Sequence, residues 1–135
     1  MKKIIVGGLL AGLAILVVGM IFGSLTADMY KMAPANMFKP MEQNWFLQIL
    51  VYDLALGFIL AYVYSVIKSA IPGSGIQKGL IFGLIIFLVG TVPWMGITYL
   101  TMNIRNKLIL MWTLNGLANY LLAGAAIEVI DEKLK

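Results

Sequence analysis

The chain has 135 residues, 61% of them apolar and only 12% charged, with a mean hydropathy of +0.95. A water-soluble domain is about half apolar and a quarter charged, so these proportions exclude one and leave no length for a soluble catalytic module. The net charge of +4 comes from ten Lys and Arg scattered at segment ends, which argues against nucleic acid as a partner, and the absence of Cys and His removes disulfides and the usual haem, Fe–S and zinc ligands.

Four apolar runs follow in chain order, about 4–26, 45–67, 79–100 and 108–130. Each is long enough to cross a hydrocarbon core of about 30 Å as a helix and too long for a barrel strand. The predicted fold is therefore all-α, a four-helix transmembrane bundle of two antiparallel hairpins forming a single domain over 1–135. The first run follows Met1-Lys2-Lys3 like a signal peptide, but it exceeds the usual apolar length of one and is expected to stay as a span. The turn Ile71-Pro72-Gly73-Ser74-Gly75 joins the second and third helices tightly.

Orientation follows from the basic residues. With both termini in the cytoplasm, the inner side holds Lys2, Lys3, Lys68, Lys78, Lys133 and Lys135, against Lys31, Lys39, Arg105 and Lys107 outside. Ala27 to Asn44 forms the longest outer loop, expected to lie on the membrane surface, where it could serve as a lid or a docking surface. Trp45, Trp94, Trp112, Tyr30 and Tyr99 gather at that interface as an anchoring belt.

An internal repeat underlies this layout. Gly8 to Gly19 aligns without gaps on Gly79 to Gly90, with seven of twelve positions identical at an offset of 71. The two hairpins are thus expected to be parallel repeats related by an axis along the membrane normal. Chance agreement of two Gly- and Leu-rich segments is the competing explanation. At 100° per residue Gly8, Gly12, Gly19 and Gly23 share one face of the first helix, and Gly79, Gly83 and Gly90 share one face of the third. Each stripe is a seam where another backbone can approach closely, within the bundle or in a homo-oligomer or membrane partner.

Asp53 is the residue that most needs explaining. It lies eight residues into the second span, about 12 Å deep, where an unpaired charge costs several kcal/mol. Asn115 and Asn119 fall at bracketing depths in the fourth span. Thr91 comes from the third, where Pro93 lacks an N–H and so leaves the Val89 carbonyl without its helical donor. Asp53, Thr91, Asn115, Asn119 and the Val89 carbonyl would suit Na⁺ or H⁺ as an ion- or proton-binding site. The alternative is an Asp53 that clips helices together.

No residue set here suits catalysis, so an enzyme is not expected, and no cofactor is implied. Glu128, Asp131, Glu132, Lys133 and Lys135 read as a solvated mixed tail. Met29, Met32, Met37, Met41, Met95, Met102 and Met111 cluster on the outer side, where soft Cu(I) or Ag(I) is a minor option against flexible apolar filling. The sequence thus predicts an oligomeric ion- or proton-coupled transporter or channel subunit, or else a structural accessory subunit packed through its glycine seams.

Four further groupings bear on kinship: Lys39-Pro40-Met41 before Trp45, Tyr62-Val63-Tyr64, Gly75-Ile76-Gln77-Lys78-Gly79 with Gly83, and Trp112 with Gly116 and Gly124. Together they cover most of the chain and resemble small uncharacterised four-span prokaryotic membrane proteins. That resemblance implies the topology and a prokaryotic inner-membrane address, and it transfers no site.

Overall fold

The computed structural model describes residues 1–34 and 36–134. Its architecture is all-helical among those residues: α1 (Lys2–Lys31), α2 (Trp45–Ile67), α3 (Ile76–Thr101) and α4 (Asn106–Lys133). All four are long and apolar enough to cross a membrane, which makes this a multi-pass membrane protein by length and hydropathy. Each helix outruns or matches its apolar run because nothing breaks it until the polar turn beyond. Lys31 and Lys133 occupy the last turns of α1 and α4, where a cation suits the negative end of the helix dipole. Between α2 and α3, Gly73 (φ 94°) and Gly75 (φ 58°) take left-handed backbone that a side chain would strain, and this reverses the chain within a few residues.

Across the bundle the order is α2, α1, α4, α3: α1 packs along both α2 and α4, and α3 packs along α4. Lys3 at the start of α1 and Lys68 just past α2 both bind Asp131 near the end of α4, at 3.4 and 2.8 Å. The N-terminal end of α1 and the C-terminal ends of α2 and α4 therefore share one end of the bundle. Beneath this ion cluster lies the core, where Ala11, Leu60, Ala61, Tyr64, Phe82 and Ala123 are almost fully buried.

Glycine sets the closeness of the helices in that half. A Cβ built at Gly12 would fall 2.8 Å from both the Asp53 carbonyl oxygen and the Leu54 Cα. One built at Gly83 would strike the Tyr120 carbonyl and come within 2.9 Å of the Leu121 Cα. The facing helices answer in kind: Gly57 abuts the backbone of Gly8 and Gly12, and Gly124 abuts that of Gly79 and Gly83. Backbone meets backbone in both contacts, the geometry that favours helix association where lipid supplies no hydrophobic drive. Among the described residues a Cβ added at Gly19, Gly23 or Gly90 would meet nothing within 4 Å, so these members of the two stripes lie outside the helix contacts.

The third helix is not uniform. It runs as α-helix over Ile76–Ile86, as a π turn over Phe87–Thr91, and as α-helix again over Val92–Thr101. The Val92 N–H donates to the Phe87 carbonyl, five residues back. A π turn inserts one residue and rotates everything after it by about 100° relative to a regular helix. Here that rotation comes immediately before Pro93, where the regular hydrogen-bond ladder is already interrupted.

Candidate functional site

A cavity of about 350 Å³ lies between the second half of α3 and the first half of α4, with Ile15 of α1 and Leu56 of α2 also lining it. Its polar residues are Thr91, Asn115 and Asn119, and its aromatic ones are Trp94, Trp112 and Tyr120. Asn119 is near the midpoint of α4 and Asn115 is one turn nearer the loop end, so the cavity reaches from mid-helix toward the end opposite the termini. Three features of the sequence place these side chains. Asn115 and Asn119 are four apart on one helix face. The π turn comes just ahead of Thr91's neighbours Trp94 and Met95. Gly116 leaves space that Thr91 fills, since a Cβ there would sit 2.7 Å from the Thr91 Oγ1 and Cγ2.

The Oδ1 atoms of Asn115 and Asn119 are buried and accept no hydrogen bond among the described residues. A buried acceptor without a donor costs about 1–3 kcal/mol, so these two asparagines are held at a cost in stability. No acidic or basic side chain is present in the lining.

An aromatic cluster adjoins the loop end of this cavity. The Trp112 indole N–H donates to the Tyr30 hydroxyl at 2.6 Å. Phe38, from the loop after α1, packs edge-on against both rings, with centroids 4.9 Å from Tyr30 and 6.4 Å from Trp112. Trp112 thus belongs to the cavity wall and to the anchor of the loop above it.

Asp53 stands elsewhere. It is 8% exposed on the face of α2 that carries Gly57, Leu60 and Tyr64, with its own backbone pressed against Gly12 of α1. Among the described residues it makes no side-chain hydrogen bond, and Leu56, not Asp53, represents α2 in the cavity lining. The structure therefore gathers Thr91, Asn115 and Asn119 and leaves Asp53 outside their lining. Val89 is 69% exposed on the outer side of the π turn and is likewise not a lining residue.

Glu128 departs from its expected place in a solvated tail. It is 5% exposed, and its Oε2 accepts a hydrogen bond from Tyr64, itself 1% exposed. The reason is that α4 continues straight to Lys133, keeping Glu128 one turn beyond Gly124 on the face that meets α3 and α2. The i, i+4 spacing from Gly124 is the available signal, because a residue one turn from a packed glycine faces the same neighbour. The chain thus carries a second buried acid within its helices, at the end with the Lys3–Asp131–Lys68 cluster.

The methionine cluster is dispersed by the fold. Met29, Met32 and Met37 line a small cleft of about 60 Å³, and there the Arg105 guanidinium donates to the Met32 sulfur at 3.3 Å. A cation already occupying a thioether opposes a soft metal ion in that cleft. Met41 is 78% exposed, and Met95 belongs to the cavity beside Thr91.

The chain matches no protein-family model, no curated protein and no solved structure.

Proposed function

We propose that this chain is a small membrane transporter or channel subunit that takes a cation into the cavity lined by Thr91, Asn115 and Asn119. The observation that carries this reading is a space of about 350 Å³ within membrane-spanning helices whose lining includes Thr91, Asn115 and Asn119. Polar groups at that depth are expensive, and they are retained where they serve a ligand path. With no acid–base pair or activated nucleophile in the lining, binding and passage fit the wall better than catalysis.

In this reading Asp53 couples the site to protons, and the ion cluster of Lys3, Lys68 and Asp131 marks the cytoplasmic end. The weak excess of basic residues at that end supports this orientation and an inner-membrane address, with lipid as the surrounding partner. Paired contacts support a likeness of the two hairpins, though not a two-fold axis between them, since α1 packs on α4 and α2 does not pack along α3: Gly12 meets Asp53 and Leu54 as Gly83 meets Tyr120 and Leu121, and Gly57 meets Gly8 and Gly12 as Gly124 meets Gly79 and Gly83. Because four helices enclose little volume, a homo-oligomer would complete the path.

A structural accessory subunit is the second reading. It is favoured by Gly19 and Gly23, which line an open groove of about 750 Å³ that a partner's helix could enter.

Flux separates the two. Liposomes containing the purified chain are expected to pass Na⁺, K⁺ or H⁺, and Asn115→Ala with Asn119→Ala should lower the rate about tenfold or more, one hydrogen bond's worth of binding. Asp53→Asn is expected to remove proton coupling while leaving the cavity intact. Absence of flux for all three ions in the unaltered chain contradicts the transport reading and leaves the accessory one.

A further inference from the structure

We infer that the groove between α1 and the start of α2 holds one phospholipid whose headgroup carries both a phosphate and a primary ammonium group, an inference independent of what the Asn115–Asn119 cavity does. The groove, of about 750 Å³, is lined by Gly19, Gly23 and Ala27 of α1 and by Met41, Trp45 and Ile49. It follows α1 outward to Tyr30 and Lys31, a rise of about 18 Å from Gly19. Gly19 and Gly23 fall in the first apolar run and Lys31 lies beyond it, so the groove straddles the membrane interface at the end away from the termini. Toward mid-membrane α2 shuts it, since the face of α1 with Gly19 and Gly23 also carries Gly12, where a Cβ would fall 2.8 Å from the Asp53 carbonyl oxygen. A partner's spanning helix needs a seam of about 30 Å and finds little over half of that here. One acyl chain entering from the interface needs no longer groove, and leaving the groove empty would forfeit the dispersion contacts of its walls.

The headgroup follows from a second hollow of about 370 Å³, which shares Met41, Trp45 and Ile49 with the groove and adds Lys39, Glu42 and Gln48. Lys31, at the groove's end, is already paired with Asp28 at 3.3 Å. Lys39 and Glu42 differ: among the described residues neither forms an ion pair, and Glu42 accepts its side-chain hydrogen bond from Gln48, at 3.1 Å. A cation and an anion that line one hollow without neutralising each other are the complement of a zwitterion. A phosphate matches Lys39, and an ammonium that keeps its N–H groups matches Glu42 through a charge-assisted hydrogen bond. A quaternary ammonium has no N–H to donate, and a headgroup with phosphate as its only charge leaves Glu42 unmatched. Trp45 lines both hollows and so marks the junction of chain and headgroup, the level at which an indole ring suits the interface.

Native mass spectrometry of the detergent-solubilised full chain tests this, with dioleoyl phosphatidylethanolamine, phosphatidylcholine and phosphatidylglycerol titrated in separately. Phosphatidylethanolamine is expected to be retained at one copy per chain, about tenfold more tightly than either of the others, as one charge-assisted hydrogen bond would give. Glu42→Gln should bring it down to the level of phosphatidylcholine, and Lys39→Gln should weaken all three lipids. Gly23→Leu, which puts a side chain where a Cβ meets nothing within 4 Å, should fill the groove and lower retention of all three about tenfold. Lys39 and Glu42 are exposed and Gly23 lies outside the helix contacts, so these variants leave the fold in place. Equal retention of the three lipids, or a preference for phosphatidylethanolamine that survives Glu42→Gln, overturns the headgroup assignment. Retention untouched by Gly23→Leu overturns the groove as the site. A chain that retains no lipid and is a dimer that Gly23→Leu splits assigns the groove to a second copy and likewise overturns the inference.

Discussion

Gly57→Ala and Gly124→Ala are each expected to destabilise the chain by about 3 kcal/mol, the upper end for forcing a methyl into a packed interior. At Gly57 the new Cβ runs into the backbone of Gly8 and Gly12, and at Gly124 into that of Gly79 and Gly83. Backbone cannot rotate aside as a side chain would, so the helices must separate, and the close contacts that hold each hairpin go with the separation. Gly19→Ala, Gly23→Ala and Gly90→Ala meet nothing within 4 Å and should be neutral, or stabilising by up to about 1 kcal/mol through helix propensity. Unfolding in mixed micelles with increasing denaturing detergent measures all five. Similar losses at Gly57 and Gly124 would also support the repeat, whereas tolerance at both would contradict the backbone-on-backbone contact.

Loss of Tyr64 should be felt more widely. Tyr64→Ala removes a ring that is 1% exposed, packed edge-on to Phe82 at 5.1 Å, and leaves Glu128 without its donor. A loss of about 4 kcal/mol is expected, the range for a fully buried aromatic cut back to alanine. Tyr64→Phe keeps the ring and removes only the hydroxyl, so it should cost about 1–2 kcal/mol. In the Glu128→Gln background that smaller cost should shrink, since a neutral amide is less expensive to leave unpaired than a carboxyl group stripped of its donor. The same micelle titration reads these variants, and a Tyr64→Phe as damaging as Tyr64→Ala would mean that the hydrogen bond, not the ring, holds the inner ends of α2, α3 and α4 together.

Hydropathy alone is enough to read the four helices, because hydrocarbon imposes one solution on any apolar run of that length. Depth along the helix places Asn115, Asn119 and Thr91 at compatible heights, and they do line one cavity. Rotation about the helix axis is harder to read. Asp53 shares its depth with the Asn pair, but the direction it faces is fixed by Gly57 seating α2 on Gly8 and Gly12, a contact invisible until the two helices are docked. The π turn at Phe87–Thr91 has no sequence mark beyond Pro93, and it resets the phase of Trp94 and Met95. Glu128 escapes a reading of the sequence for a related reason. An acid two residues from the end of an apolar run is usually solvated, and only the straight continuation of α4 past Gly124 and the reach of Tyr64 enclose it.

A binding role for the cavity requires that water and a polar ligand reach the middle of α4 from the end away from the termini. Since the chain contains no cysteine, single cysteines can be read without background. Asn119→Cys, Val89→Cys and Ala61→Cys, reconstituted in liposomes, should be exposed to a charged, membrane-impermeant thiol reagent. Asn119→Cys is expected to react. Val89→Cys on the outer surface and Ala61→Cys in the core, 2% exposed, should stay unmodified. An Asn119→Cys as inert as Ala61→Cys would overturn the binding role, because the cavity would then be a space that no aqueous ligand can enter.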